Sequence, residues 1–253
     1  MVGCHLNKKI TMNNNTVYEW LLNSTFTVSA REKSLESAKP HIITFVHSDI
    51  EALDLCCGTG FVSFWLEGLG AKVTGVDFAP YMISLAKEGA KPRNSSVQFV
   101  EADIFAYDFG KDCFDLITCF DSISDFPITD FAKLGGKIAR ALKPGGRFVV
   151  KYVDINYEYI QGDAAREGIY QESPERITYH IKGYLPEVGA VLNIIRNETR
   201  GDEYDRESYI YTSPIVRLAV GKALELEKHI SLEINEFLDV FVKTQGADSI
   251  DWH

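Results

Sequence analysis

A glycine-rich turn follows the first short apolar segment of the chain. The turn reads Asp54-Leu55-Cys56-Cys57-Gly58-Thr59-Gly60, and a helical pattern begins directly after it. Glycine lets the backbone approach a ligand because no Cβ stands in the way. The free N–H groups at the start of the next helix carry the positive end of its dipole. The turn is therefore suited to a carboxylate, a pyrophosphate or another polar tail, although a plain tight turn has the same composition.

Acidic residues end the next two apolar segments. Asp77 closes the segment 72–77, 19 residues after Gly58, and Asp103 closes the segment 97–103. A carboxylate in the first position can accept hydrogen bonds from both hydroxyls of a ribose. In the second position a carboxylate or a neighbouring N–H can contact an adenine edge, and a helix cap or a solvated loop is the alternative. Together with Asp54, these positions favour a nucleoside-like ligand.

An alternation of strands and helices positions these residues. Strands alternating with helices predict a parallel sheet with right-handed crossovers. Ligands on such sheets bind at the carboxyl ends of the strands, so we expect Cys56, Asp77, Asp103 and Cys119 to lie along one edge. The predicted strands are 52–56, 72–77, 97–103, 114–120 and 147–153, and the predicted helices are 61–69, 81–89 and 130–142.

The second half of the chain has a different pattern. Three β-rich segments predict an antiparallel insert, and a helix from Ser213 to Val220 precedes two closing strands at 224–232 and 236–243. The predicted insert strands are 176–184, 190–196 and 207–211. We interpret the whole chain as a single domain, divided into a helical lid (1–48), a ligand-binding core (49–155), the β insert (156–212) and a closing segment (213–253).

From about Asp49 to Val153 the sequence resembles the class I S-adenosylmethionine-dependent methyltransferases. The resemblance implies an α/β fold with a doubly wound, mostly parallel seven-stranded sheet of the Rossmann-like type, capped by the antiparallel insert. Residues 224–243 resemble the reversed terminal hairpin of this family. The matching motifs are Leu53-Asp54-Leu55-Cys56-Cys57-Gly58-Thr59-Gly60, Val73-Thr74-Gly75-Val76-Asp77, Val100-Glu101-Ala102-Asp103, Phe114-Asp115-Leu116-Ile117 and Leu142-Lys143-Pro144-Gly145-Gly146-Arg147-Phe148.

The resemblance also implies a cofactor, S-adenosyl-L-methionine, with S-adenosyl-L-homocysteine as its product. The first turn is expected to face the methionyl end, and the backbone of Cys119 to lie near the methionyl amine. The family often has glycine where this chain has Cys56. An extended backbone at this position would accommodate the cysteine. The implied cofactor residues are Asp54, Cys56, Gly58 and Gly60 in the turn, Asp77 at the ribose with Phe78 and Met82 beside it, Asp103 and Ile104 by the adenine, and Cys119.

The methyl acceptor has a separate set of candidate residues. Asp121, after the fourth strand, is a candidate to orient a cationic or hydroxylated substrate or to act as a base, with a structural role or a helix cap as the alternative. Tyr152 is the second catalytic candidate, unless it belongs to the core. The substrate-binding candidates are Tyr18 in the lid, Asp125, Asp154, and His180 and Arg196 on the insert, where packing or solvation is the alternative for each.

Composition narrows the classes of partner. The chain has 36 acidic and 26 basic residues, a formal net charge of −10, which repels phosphate backbones and anionic membranes. Five cysteines, two of them adjacent, indicate reduced thiols in a cytoplasmic protein, and their spacing does not suggest zinc. We expect no nucleic acid or membrane partner. The 12% share of aromatic residues is compatible with a substrate pocket or with a homodimer face.

These observations predict a transferase that methylates a nitrogen, oxygen or carbon atom of a small metabolite. The alternatives are an RNA or protein methyltransferase, a protein that binds S-adenosylmethionine without catalysis, and a nicotinamide-dependent oxidoreductase. The last is disfavoured because Ser63 stands where a dinucleotide fingerprint has its third glycine.

Overall fold

The computed structural model describes residues 28–153, 177–185, 190–197, 202–209, 211–221, 224–233 and 236–244. Its strands form two sheets. The strands are β1 (Glu51–Leu55), β2 (Lys72–Asp77), β3 (Gln98–Glu101), β4 (Phe114–Phe120), β5 (Leu142–Val153), β6 (Ile177–Leu185), β7 (Ala190–Asn197), β8 (Asp202–Tyr209), β9 (Glu225–Glu233) and β10 (Glu236–Val242). The helices are α1 (Val28–Ile42), α2 (Phe61–Gly68), α3 (Pro80–Arg93), α4 (Ile128–Ala141) and α5 (Ser213–Val220), with 3₁₀ turns at Ile43–Phe45 and Ile123–Asp125.

The larger sheet has seven strands in the order β3-β2-β1-β4-β5-β10-β9. Strands β1 to β5 are parallel, whereas β10 runs antiparallel to both β5 and β9. This arrangement confirms the predicted doubly wound sheet with a reversed terminal hairpin. The chain leaves β1 towards β2 on one side and reaches β4 on the other, so the strand order reverses between β1 and β4. A crevice for a ligand is expected at the carboxyl ends of those two strands.

The register brings three strand ends to one level. Leu55, the last residue of β1, pairs with Val76 on one side and with Cys119 on the other. Strand β1 is buried along almost its whole length because helices pack on both faces of the sheet. Helix α4 contributes a stripe of buried residues at helical spacing, Phe131, Leu134 and Ile138. The central sheet is therefore a rigid support for the turns that follow β1, β2 and β4.

The smaller sheet has the order β6-β7-β8 and is antiparallel throughout. It lies between β5 and α5 in the chain, as predicted for the insert. Strand β8 lies against the 3₁₀ turn that follows β4, and the Tyr211 hydroxyl donates a hydrogen bond to the carbonyl of Phe126 at 2.8 Å. The insert therefore sits beside the loop that was predicted to face the acceptor.

Several predicted boundaries were wrong. The third strand ends at Glu101, not at Asp103, because the Asp103 carboxylate accepts the N–H of Phe105 and turns the chain locally. The last insert strand is 202–209, earlier than the predicted 207–211. Helix α3 continues to Arg93, with Pro92 in its last turn. In the described part of the chain, no helix has the length and apolar character that crossing a membrane requires.

Candidate active site

A cavity of about 340 Å³ opens at the carboxyl ends of β1, β2 and β4, a volume within the range of small-molecule sites. Its wall comes from the turn after β1, the end of β2, the loop after β4 and helix α1. The cavity lies at the reversal of strand order, where the topology places a ligand. Within the described ranges, no group of three or more His, Cys, Asp or Glu side chains is placed to hold a metal ion.

The turn after β1 has an unusual backbone. Cys56, Gly58 and Gly60 all have positive φ, at 56°, 53° and 86°. A Cβ on Gly58 would meet nothing within 4 Å, because this residue faces the cavity. A Cβ on Gly60 would lie 2.7 Å from the ring of Phe99, so only glycine fits there without movement. Gly58 thus leaves the backbone open towards the cavity, while Gly60 lets the turn pack against Phe99.

The prediction of an extended backbone at Cys56 was wrong. Its φ of 56° lies in the left-handed region, which costs a non-glycine residue on the order of 1–3 kcal/mol. The hydrogen bond with Cys119 and burial together raise the pKa of the Cys56 thiol well above its ordinary value, and burial does the same for Cys57. Both shifts keep the thiols protonated. Cys57 is buried and Cys56 is half-buried at the cavity wall. Thiols that stay protonated are poor nucleophiles, which disfavours the interpretation of reactive cysteines.

Asp54 is buried and its carboxylate is used internally. Its oxygens accept the hydroxyls of Ser63 at 2.6 Å and Thr118 at 2.8 Å. Burial raises the pKa of Asp54 to about 6, although both hydrogen bonds act in the opposite direction. The side chain borders the cavity and joins β1 to α2 and β4. Its geometry suits a residue that shapes the turn.

Asp77 stands at the end of β2 and closes one side of the cavity. Its side chain is 7% exposed. Oδ2 accepts the backbone N–H of Gly58 and Oδ1 accepts that of Ala79, both at 2.9 Å. A carboxylate is an acceptor-only group with two oxygens, which is the chemistry that the two hydroxyls of a ribose require. Phe78, which is 39% exposed, and Met82 line the same cavity.

Four predicted cofactor residues do not line this cavity. Asp103 is exposed on the loop after β3, while Ile104 and Cys119 are buried in the core. Gly60 packs against Phe99 beneath the turn. The loop with Ile104 is nevertheless well fixed, because the ammonium of Lys137 donates to the carbonyls of Ile104, Phe105 and Tyr107 at 2.7–2.8 Å.

Only some of the residues predicted to contact the methyl acceptor line the cavity. Asp121 and Asp125 line the cavity. Tyr152 does not: it is 2% exposed, and its hydroxyl donates to the buried carboxylate of Asp239 at 3.0 Å. This position in the core does not support a catalytic role. His180 lies on β6 and Arg196 on β7, whereas Tyr18 and Asp154 lie outside the described residues.

Sequence reasoning missed several residues of the cavity wall. Phe61 and Val62 follow the glycine turn, so the position alone could have identified them. No comparable signal marks Ser34 and Leu35, which come from helix α1. The structure places α1 against the cavity, in the region predicted as a lid. The remaining apolar part of the wall includes Phe120 and Phe126.

The cavity fits an adenosyl cofactor. Gly58 leaves the backbone open, Asp77 offers carboxylate oxygens for a ribose, and Phe78 presents an exposed ring beside it. The fold and this site define a Rossmann-like domain with a cavity at the carboxyl ends of its central strands.

Part of the chain is similar in sequence to known methyltransferases. Residues 52–146 match the model of the methyltransferase domain family. A stretch of 100 residues is 41% identical to a demethylmenaquinone methyltransferase of Thermus thermophilus, covering 39% of this chain and 44% of that protein. The chain therefore spans less than half the length of this relative. Residues 52–146 are therefore similar to methyltransferase domains.

Solved structures extend the similarity in fold over most of the chain. The PH0226 protein of Pyrococcus horikoshii OT3 superposes with a TM-score of 0.72 at 24% identity, covering 90% of this chain and 99% of that one. An S-adenosylmethionine-dependent methyltransferase of Clostridium acetobutylicum superposes with a TM-score of 0.68 at 18% identity, covering 91% and 97%. The similarity in fold therefore extends well beyond residues 52–146.

Proposed function

We propose that this protein transfers the methyl group of S-adenosylmethionine to a small-molecule acceptor. The observation that carries the proposal is the cavity at the strand-order reversal, where the open backbone of Gly58 and the carboxylate of Asp77 meet. The proposal is supported by the match of residues 52–146 to the methyltransferase domain model and by the similarity to a demethylmenaquinone methyltransferase, whose name gives a small molecule as its substrate. The single-domain organisation, the cytoplasmic location and a homodimer stay predictions.

Each group of wall residues has a part in this proposal. When bound, the cofactor supplies an electrophilic methyl group on a positively charged sulfur. Asp77 would hold the ribose hydroxyls, and Phe78 and Met82 would cover the adenosyl group. The turn at Gly58 would hold the methionyl end. Asp103, Ile104 and Cys119 do not line the cavity, and their contacts with the cofactor stay predictions. Closure of the apolar wall would exclude water and hold the acceptor in line with the methyl group.

The acceptor side is acidic. Asp121 and Asp125 line the cavity, and the net charge of the chain is −10. This charge favours an uncharged or cationic metabolite over nucleic acid. A nitrogen or oxygen acceptor loses a proton during the reaction. Asp121, which lines the cavity, would accept a hydrogen bond from that N–H or O–H. Carbon methylation is the remaining possibility for the atom type.

Radiolabelled transfer tests the proposal. The protein is incubated with methyl-labelled S-adenosylmethionine and with fractionated cell metabolites, RNA and protein in separate reactions. We expect label in one small-molecule fraction and none in the macromolecular fractions. Label in RNA or protein would establish the first alternative. Binding of the cofactor without transfer to any fraction would favour a protein that only binds it.

A further inference from the structure

A buried lysine stands behind the acceptor side of the cavity. The side chain of Lys151 is 1% exposed, and its ammonium lies 2.8 Å from Oδ1 of Asp121 and 3.0 Å from Oε2 of Glu236. Burial by itself would lower the pKa of Lys151, but the charges and hydrogen bonds of the two carboxylates outweigh it and raise the pKa. The ammonium therefore stays charged beneath the cavity wall.

Asp121 is held from three directions. Its backbone N–H donates to the carbonyl of Lys151 at 2.9 Å, and its φ of 55° turns the chain sharply at the end of β4. Lys151 holds Oδ1, while Oδ2 accepts the hydroxyl of Ser34 on α1 at 2.7 Å. The Asp121 side chain is still 37% exposed. A carboxylate that only faces solvent does not need a buried cation and a positive φ to hold it.

We propose that Lys151 is a positioning residue, which holds the Asp121 carboxylate through Oδ1 so that Oδ2 faces the point where the methyl group is transferred. This proposal rests on the proposed function. The Ser34 hydroxyl on Oδ2 occupies the place that an N–H or O–H donor of the acceptor would take. The acceptor class is therefore an amine or a hydroxyl compound that carries no negative charge near the methylated atom.

The charges of the cluster support this acceptor class. Lys151, Asp121 and Glu236 together carry one net negative charge, and the cation is the buried member of the group. The electrostatic potential at the cavity wall is thus negative, which repels a carboxylate or phosphate on the acceptor. An amine gains positive charge as it takes the methyl group, and a fixed carboxylate stabilises that charge without having to reorganise.

An amine-bearing cofactor analogue tests the geometry without knowledge of the acceptor. Sinefungin has an amine-bearing carbon in place of the methylated sulfur, so its ammonium lies near the position of the transferred methyl group. The ratio of its affinity to that of S-adenosylhomocysteine, measured by calorimetry on the full chain, reports the negative charge at that point. We expect Asp121→Asn to lower this ratio about tenfold, the scale of one hydrogen bond between charged groups.

The double variant Lys151→Met/Glu236→Gln removes the cation and one anion, so the net charge is unchanged. If Lys151 positions Asp121, the double variant lowers the ratio towards the value of Asp121→Asn. Lys243→Met is the matched control, since Lys243 is also a buried lysine, 2% exposed, and pairs with Asp112 at 2.8 Å. Asp112 precedes β4, so this pair lies at the end of the strands away from the cavity. The control should lose thermal stability and keep the ratio of the unchanged protein.

Each outcome decides one step. A wild-type ratio in Asp121→Asn would show that this carboxylate does not face the methyl position, and a wild-type ratio in the double variant would remove the role of Lys151. If the double variant does not fold, Lys151→Arg keeps the charge but displaces Asp121, and the same two outcomes apply. Failure of both S-adenosylmethionine and S-adenosylhomocysteine to bind the unchanged protein would contradict the proposed function itself.

Discussion

The carboxylate of Asp77 accepts the backbone N–H of Gly58, with 2.9 Å between nitrogen and Oδ2, and so ties the end of β2 to the turn after β1. The two parts of the cavity that would hold the ribose and the methionyl end are therefore one unit before a ligand arrives. Such preorganisation lowers the entropy that is lost on binding. A change at either residue should affect both parts of the site.

Two glycines of the first βα unit, Gly60 and Gly68, should respond in opposite ways to replacement by alanine. At Gly60 the new Cβ would lie 2.7 Å from the Phe99 ring, and φ is 86°. We expect Gly60→Ala to lower the free energy of unfolding by about 1–3 kcal/mol, from left-handed strain and the clash. Gly68, at the end of α2, has open space around its Cβ position and is the matched control.

Gly68→Ala should raise the free energy of unfolding by a few tenths to about 1 kcal/mol, because alanine loses less conformational entropy in a helix. Urea denaturation of both variants checks the pair. Equal stability of the two alanine variants would show that the turn after β1 does not require glycine at position 60.

Asp54 should make the protein less stable as the pH rises from about 4 to 6. Its pKa is raised to about 6 in the folded protein and lies near 3.9 in the unfolded chain. Between these values the folded state binds more protons, so the stabilisation by protonated Asp54 is present at low pH and is lost as pH passes 6.

Asp54→Asn removes this titration. We expect the unfolding free energy of the variant, minus that of the unchanged protein, to increase by about 2–3 kcal/mol between pH 4 and pH 7, since one pKa unit corresponds to about 1.4 kcal/mol. Urea denaturation at several pH values measures the difference. A difference that does not change with pH would show that Asp54 is ionised in the fold at pH 4.

Tyr152→Phe tests the predicted catalytic role of this tyrosine. Its hydroxyl donates to the buried Asp239, and the ring lies outside the cavity wall. We expect the variant to lose about 1–2 kcal/mol of stability from the lost hydrogen bond to a charged group. Methyl transfer, once an acceptor is found, should keep its rate. A large loss of turnover with unchanged stability would instead restore the sequence-based prediction.

The sequence was a good guide to the sheet and to Asp77 for the same physical reason. Parallel strands buried on both faces appear as short apolar segments, and their carboxyl ends are marked by the residue that follows. Gly58 and Asp77 could thus be paired from their positions alone. The left-handed backbone at Cys56 could not be predicted in this way, because the residue type cysteine does not indicate a positive φ.

The acceptor side was less predictable because its contacts are distant in the chain. Lys151 has the sequence context of an ordinary strand residue, yet it is buried between Asp121 and Glu236, which lie 30 and 85 residues away. Ser34 reaches Asp121 from a helix 87 residues earlier. Tyr152 alternates with Lys151 along β5 and points into the core, and only the three-dimensional pairing of β5 with β10 shows this.

Calorimetric titration with S-adenosylmethionine and S-adenosylhomocysteine tests the central claim most directly, with Asp77→Ala beside the unchanged protein. Asp115→Ala is the matched control, because Asp115 also accepts a backbone N–H from a neighbouring strand, that of Glu51 at 2.9 Å. Asp115 lies at the start of β4, at the end of the strand away from the cavity. We predict that the unchanged protein and Asp115→Ala bind both ligands, and that Asp77→Ala binds them more weakly by about 1.5–3 kcal/mol. No heat with either ligand, or equal affinity in Asp77→Ala, would contradict the account.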